Sequence, residues 1–149
     1  MKVYLASRFT LIPQVESVAS ILECRGHEIT CKWWSREYQI PGEGKVKTTV
    51  LKERTRTLSA EAFYKLPETR FSYLADLQGI KDADAFIFVA GYDLHPFNGA
   101  NVELGIALAL GKPCYIYGRL PLSVMYYNTK FYDLMMPLLE DMEAEDHEI

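Results

Sequence analysis

The apolar residues of this chain form short runs with two different spacings. VYLA (3–6) and residues 113–117 predict short strands, and ADAFIFVA (83–90) is a nearly continuous apolar run, which is typical of a strand buried on both faces. EITCKWW (28–34) alternates and carries β-branched and aromatic side chains, so it predicts a further strand.

Between these runs, apolar residues recur every three or four positions, which predicts helices. The predicted helices run from Pro13 to Gly26, over 67–80 and over 101–110, with a weaker one over 48–63, a short one over 121–127 and a last one over 131–142. Glycine and proline mark 35–47 and 91–99 as loops. Strands alternating with helices predict a single α/β domain, with a flavodoxin-like or Rossmann-like parallel sheet and helices on both faces.

Composition fits a globular domain and excludes several classes of protein. The chain has 149 residues, of which 49% are hydrophobic. No apolar run reaches the roughly 18 residues that a membrane span needs. The three cysteines lack a CxxC spacing, so neither a disulfide framework nor a metal site is expected, and a cytoplasmic location is favoured. Basic residues are too few to predict a nucleic-acid surface.

Acidic residues are concentrated at the end of the chain. The formal net charge is −4, and without the six acids of the last ten residues it would be +2. We therefore expect a domain over 1–142, followed by a solvated acidic tail over 143–149.

Several polar and aromatic residues are expected to meet at one edge of the sheet. Ligands of such sheets bind beyond the carboxyl ends of the strands, where the strand order reverses. That position gathers Ser7, Arg8, Phe9, Trp33, Trp34, the 91–99 loop with Asp93, His95 and Gly99, and the helix start at Asn101. We expect these residues to surround one ligand crevice.

Glu103 is unusual because it stands at the front of an otherwise apolar helix. Val102, Ile106, Ala109 and Leu110 would form the stripe that packs on the sheet, with Glu103 beside it in the first turn. The helix dipole stabilises a carboxylate there by roughly 0.3–1 kcal/mol, so helix stabilisation alone explains the residue. The alternative is a nucleophile that stays ionised in a partly dry cleft.

Asp76 and Tyr4 also have two interpretations each. Asp76 lies on the 67–80 helix, where it could simply face solvent. Tyr4, taken alone, is a core residue of the first strand.

Three segments, VYLASRF (3–9), LADLQGIKDADAFIFV (74–89) and GANVELGIALALGKP (99–113), follow one another along the chain. In this order they resemble the nucleoside 2-deoxyribosyltransferase family, which also includes hydrolases of deoxynucleoside monophosphates. The similarity extends over about residues 2–126. It implies a cofactor-independent enzyme that acts on the N-glycosidic bond of small deoxynucleosides or deoxynucleotides.

The resemblance also implies roles for individual residues. Glu103 matches the nucleophile that takes the deoxyribosyl group, Asp76 the aspartate that contacts the base and helps protonate it, and Tyr4 the tyrosine that holds the nucleophile. Ser123 and Met125, in PLSVM, match a segment that completes the site of a neighbouring subunit. A homodimer or higher homo-oligomer with shared active sites is therefore implied.

This set of residues suits the chemistry. Cleavage leaves positive charge on the anomeric carbon of the sugar and negative charge on the departing base. A carboxylate beneath the sugar can trap it as an ester, and an acid near the base can neutralise the leaving group. Attack by a second base then gives transfer, and attack by water gives hydrolysis.

Three functions stay open at this point. The first is a deoxyribosyltransferase that exchanges bases between deoxynucleosides. The second is a deoxynucleoside 5′-monophosphate N-glycosidase, because Ser123 resembles the serine of the monophosphate hydrolases and Arg8 could bind a phosphate. The third is a nucleotide-binding module that uses the same crevice without catalysis.

Overall fold

The computed structural model describes residues 1–40, 44–47, 56, 58–94 and 97–147. Its strands are β1 (Lys2–Ala6), β2 (Glu28–Ile29), β3 (Glu37–Ile40), β4 (Gly44–Lys47), β5 (Ala85–Gly91), β6 (Cys114–Gly118) and β7 (Thr129–Tyr132). All but β3 and β4 form one parallel sheet in the order β2-β1-β5-β6-β7. This is the flavodoxin-like order of an α/β domain, so the predicted fold class is confirmed.

Helices connect the strands of this sheet. They are α1 (Ile12–Cys24), α2 (Ala60–Tyr64), α3 (Pro67–Asp82), α4 (Asn98–Ala109) and α5 (Met135–Asp146). Among the described residues, no helix is both long and apolar enough to span a bilayer.

The core is centred on β5. Every residue from 85 to 90 is at most 2% exposed, because packed elements cover both faces of the sheet. Helices α3 and α4 contact each other and β1, whereas α5 contacts β6 and β7. The Tyr4 ring on β1 stacks on Phe86 of β5 with 5.6 Å between ring centroids, which fixes the neighbouring strands together.

The predicted strand over 28–34 is mostly wrong. Strand β2 has only two residues, and Trp33–Ser35 form a 3₁₀ turn. Both indoles are 7% exposed, so burying two large rings determines the backbone path more than strand pairing does.

Two further predictions of local structure are corrected. The predicted loop over 35–47 contains the antiparallel pair β3 and β4. The predicted helix over 131–142 begins at Met135 instead, because residues 129–132 pair with β6 as the edge strand. Of the weak helix over 48–63, only α2 is seen; residues 48–55 and 57, like His95, lie outside the described residues.

Helix α4 begins three residues earlier than predicted and buries a different face. Ala100, Leu104 and Ala107 are at most 4% exposed and pack on the sheet. Val102 is 64% exposed, so the predicted apolar stripe through Val102 is wrong. The small buried alanines allow the helix to lie close to β1 and β5.

Acidic residues near the end of the chain lie on the last helix. Helix α5 continues to Asp146, and Glu143 accepts hydrogen bonds from Arg25 and His27. Glu145 accepts a hydrogen bond from Tyr115. Glu143 and Glu145 are therefore paired with basic and tyrosine side chains, which the sequence pattern alone does not indicate.

Candidate functional site

A pocket of about 410 Å³ opens at the carboxyl ends of β1 and β5, where the strand order reverses. Its volume lies in the range of small-molecule sites. Seven residues predicted for the site line it: Ser7, Arg8, Phe9, Trp33, Asp76, Gly99 and Glu103. The two carboxylates come from different helices, Asp76 from α3 and Glu103 from α4, so the fold brings together residues that are distant in sequence.

Glu103 is half-buried on the pocket side of α4. Because the helix starts at Asn98, Glu103 lies in the second turn, and the predicted first-turn position is wrong. The effect of the helix dipole falls off beyond the first turn. Helix stabilisation is therefore a weaker explanation of this carboxylate than the sequence suggested.

Tyr4 is fully buried behind the pocket, beside Glu103. Its hydroxyl makes no hydrogen bond of standard geometry within the described residues. Burial raises the pKa of Tyr4 well above its usual value, and the charges of Glu103 and Asp76 and a hydrogen-bond contribution from Glu103 raise it further. The hydroxyl therefore stays protonated and interacts with the Glu103 carboxylate.

Asp76 is held by two donors. Its Oδ1 accepts a hydrogen bond from Nη2 of Arg36 at 2.8 Å and one from Sγ of Cys31 at 3.5 Å. Burial, followed by the charge of Asp76, raises the pKa of Cys31 to about 11, so the thiol keeps the proton that it donates. Arg36 also lines the pocket, and its side chain is only 11% exposed.

Gly79, one turn after Asp76, sets how closely α3 approaches β1. A Cβ at this position would lie 2.8 Å from Cβ of Cys31 and 3.1 Å from the Tyr4 ring. No side chain fits there without moving α3, so the glycine keeps Asp76, Cys31 and Tyr4 in one small volume.

Arg8 forms one wall of the pocket. Its guanidinium lies 4.9 Å from the centroid of the Phe97 ring and forms an ion pair with Asp93. Nε of Arg8 is buried and has no hydrogen-bond partner within the described residues. Asp93 does not line the pocket itself; it acts on it through Arg8.

The side chains of Ser7 and Trp33 each donate a hydrogen bond to the backbone of the sheet. The Ser7 hydroxyl donates to the Val89 carbonyl at 2.7 Å, and Nε1 of Trp33 donates to the Leu5 carbonyl at 2.8 Å. Phe9 packs edge-on against Trp33 with 5.5 Å between centroids. These contacts fix the apolar wall of the pocket.

Three predicted residues lie away from this pocket. Asn101 accepts a hydrogen bond from the Tyr126 hydroxyl at 3.3 Å, and Ser123 caps a 3₁₀ turn by accepting from the Met125 amide at 3.2 Å. Asn101, Ser123 and Met125 line a separate groove on the outer side of α4. In a single chain, they do not meet Glu103.

Sequence reasoning missed several residues of the pocket. They are Thr10, Arg36, Arg56, Ser72 and Ala100. Arg36 follows a segment that was assigned to a strand, and no local pattern identifies it. Phe97 and Asn98 also line the pocket, and both belong to the 91–99 loop that was expected to surround it. Within the described part of the chain, no cluster of three or more potential metal ligands occurs.

Comparison with known proteins identifies the family. The family model described as nucleoside 2-deoxyribosyltransferase matches residues 3–148. A 2-deoxyribosyltransferase from the psychrotolerant bacterium Bacillus psychrosaccharolyticus has a similar structure, with a TM-score of 0.57 and 20% identity over 93% of this chain and 96% of that one. A CMP N-glycosidase from Clostridium botulinum also matches, with a TM-score of 0.52 and 15% identity over 97% and 99% of the two chains.

The two structural likenesses establish the fold, and the family model establishes the relationship. No curated protein sequence matches the chain. Because the family model covers nearly the whole length, the chain belongs to the nucleoside 2-deoxyribosyltransferase family, whose members act on N-glycosidic bonds.

Proposed function

We propose that this protein cleaves the N-glycosidic bond of 2′-deoxynucleosides through a covalent deoxyribosyl ester on Glu103, and transfers the sugar to another base. The observation that carries the proposal is the pairing of Glu103 and Asp76 in one pocket, with the protonated Tyr4 hydroxyl against Glu103. A protein that only binds nucleotides has no need for two half-buried carboxylates in one pocket.

In the first step, a carboxylate oxygen of Glu103 attacks the anomeric carbon while the base leaves. Tyr4 holds the carboxylate, which limits the orientations that it must lose on reaching the transition state. Asp76 contacts the base, and Trp33 and Phe9 supply an apolar wall against which a flat ring can pack. In the second step, an acceptor base attacks the same carbon and releases Glu103.

A second candidate is hydrolysis of deoxynucleoside 5′-monophosphates. The unsatisfied Nε of Arg8 favours it, because a largely buried guanidinium can bind a phosphate. The ion pair of Arg8 with Asp93 weighs against it, since the phosphate must compete with a carboxylate that is already in place.

A substrate panel separates the two. The protein is incubated with deoxynucleosides and with their 5′-monophosphates, each with and without a second free base, and the bases are followed by chromatography. Base exchange that requires the acceptor supports transfer, whereas base release from monophosphates alone supports the hydrolase. No reaction in any mixture contradicts both.

Arg8→Gln tests the phosphate contact directly. If the monophosphates are the substrates, the variant raises their KM by about 10-fold or more, since a charge-assisted hydrogen bond contributes about 1.5–3 kcal/mol. If deoxynucleosides are the substrates, their KM changes little.

The separate groove supports an oligomer with shared sites. Leu122, Val124, Met125 and Tyr127 are each at least 72% exposed, which is unusual for large apolar side chains. We propose that this surface carries Ser123 and Met125 to the pocket of a neighbouring copy. Light scattering tests the assembly, and a fully active monomer contradicts it.

A further inference from the structure

Arg36 lies where the departing base of the proposed reaction would be expected. It lines the same pocket as Glu103 and contacts Asp76, the residue expected to meet the base. The family resemblance assigns it no role.

The hydrogen bonds of Asp76 restrict what this residue can do. An arginine has only donors, so Oδ1 of Asp76 must accept the bond from Arg36, and it also accepts from the Cys31 thiol. The oxygen that faces these donors cannot be the one that carries a proton to the leaving base. Only Oδ2 of Asp76 is left to meet the base, so a second group that offsets charge on the base would add to its effect.

The guanidinium of Arg36 has the properties of such a group. It is permanently charged and is nearly buried, at 11% side-chain exposure, where its charge is less screened by water. The contacts to Asp76 and to Sγ of Cys31, at 2.8 and 2.9 Å, use the same terminal nitrogen. The guanidinium also lies 5.7 Å from the centroid of the Phe71 ring, so three side chains fix its orientation.

We propose that Arg36 stabilises the negative charge that develops on the departing base, and that Asp76 positions it. When the bond between the anomeric carbon and the base nitrogen breaks, its electron pair goes to the base, while an oxygen pair of Glu103 forms the new bond to carbon. Arg36 offsets the charge on the base without giving up a proton. The inference rests on the proposed function, because it requires a base to leave.

The test compares substrates whose bases leave with different charge. Deoxyguanosine releases its base as an anion unless the base is protonated as it leaves. N7-methyldeoxyguanosine starts as a cation and releases a neutral base, so its base leaves more easily. If the wild-type protein accepts only pyrimidines, thymidine and 5-fluorodeoxyuridine form the corresponding pair, because fluorine stabilises the anion. If it accepts only monophosphates, the 5′-monophosphates of the same pairs are used.

Arg36→Gln is expected to lower kcat by about 10²- to 10³-fold for the substrate with the poor leaving group, which is deoxyguanosine or thymidine. This is the usual effect of removing one donor to a developing anion. We expect a loss of less than about 10-fold for the good leaving group, and a partial recovery in Arg36→Lys, which keeps the charge. Arg70→Gln, which removes an exposed arginine from α3, is the matched control and should leave both rates unchanged.

The outcomes are distinguishable. An equal loss for both leaving groups means that Arg36 only supports the structure, and this contradicts the proposal. Unchanged rates for both substrates contradict it as well. If the wild-type protein releases no base from any of these substrates, the proposed function fails instead.

Discussion

Two parts of the molecule hold acidic side chains against tyrosines and basic groups, and they differ in how completely these groups are paired. One is the pocket at the carboxyl ends of the strands. The other, which we name the α5 cluster, consists of Arg25, His27, Tyr115, Lys130, Glu143 and Glu145. It joins the end of α1, the edge of the sheet and the last helix.

In the α5 cluster, both oxygens of Glu143 accept from Arg25, at 2.8 and 2.6 Å, and one also contacts His27 at 2.9 Å. The Tyr115 hydroxyl donates to Glu145 at 2.5 Å. In the pocket, by contrast, the Tyr4 hydroxyl and Nε of Arg8 are buried without a standard hydrogen bond in the described structure. Complete pairing stabilises a fold, whereas polar groups left incompletely paired beside a cavity are suited to bind a ligand.

Replacing Glu103 in the pocket should have the largest effect on turnover of all the substitutions in the two regions. Glu103→Gln keeps the size of the side chain but removes the nucleophile, so we expect turnover to fall by about 10³-fold or more. Glu16→Gln, at an exposed position on α1, is the matched control. The free energy of unfolding of both variants should stay close to wild type. If Glu103→Gln retained near-normal turnover, the assignment of the nucleophile would be lost.

Gly79→Ala should damage the pocket through packing. The added methyl group would lie 2.8 Å from Cβ of Cys31, so α3 must shift, and we expect a loss of about 1–3 kcal/mol in the free energy of unfolding together with reduced turnover. Gln78→Ala, at the neighbouring exposed position, should cost about 0.5 kcal/mol or less. Urea unfolding measures both. Equal stabilities would show that α3 does not approach β1 as closely as described.

A pair of tyrosine variants separates activity from stability. Tyr4→Phe removes a buried hydroxyl that interacts with Glu103 without a hydrogen bond of standard geometry. Stability should stay unchanged or rise slightly, while turnover falls about 10-fold or more because the Glu103 carboxylate loses this interaction. Tyr115→Phe removes a hydroxyl that is bonded to Glu145 and should cost about 1–2 kcal/mol without a change in turnover. The reverse pattern would contradict the distinction between the two regions.

Glu143→Gln should give the smallest effect and one that depends on pH. Hydrogen bonds from Arg25 and His27 lower the pKa of Glu143 to about 2. Such a carboxyl stabilises the folded state at pH values above the pKa that it has in the unfolded chain, about 4.3. This contribution is lost as the pH falls towards 2, the pKa in the folded protein. We expect the variant to be about 1 kcal/mol less stable at pH 7, with a difference that shrinks below about pH 4. A difference that is constant with pH would exclude this ion pair as its cause.

The sequence predicts the parallel sheet and the pocket edge because these depend on local runs and on topology. Strand β5 is recognisable from its continuous apolar run, and Ser7 and Gly99 are recognisable from where strands end and the next helix begins. Strand β7 is not recognisable, because TKFY becomes a strand only by pairing with β6, which is a long-range contact. Side-chain pairing is equally non-local: Arg36 meets Asp76 forty positions away, and Arg25 meets Glu143 across 118 positions.

The start of α4 illustrates the same limit at a single residue. The sequence predicts that Asn98 and Gly99 end a loop, yet they lie in the first turn of the helix. The predicted position of Glu103 relative to the helix dipole is therefore wrong. The expectation that Glu103 lines the pocket did not depend on that prediction, because it came from the family resemblance and not from the helix dipole. The resemblance therefore indicated that Glu103 lines this pocket, whereas the argument from the helix dipole did not.

The most direct test of the central claim is to look for the covalent intermediate. The protein is mixed with a deoxynucleoside, or with a monophosphate if those are the substrates, in the absence of an acceptor base. It is then quenched in acid, digested and examined by mass spectrometry. We predict that the sugar mass is added to the peptide that contains Glu103 in the wild-type protein and is absent in Glu103→Gln. Rapid base release with the sugar attached to another residue, or with no adduct at any time, would contradict the account.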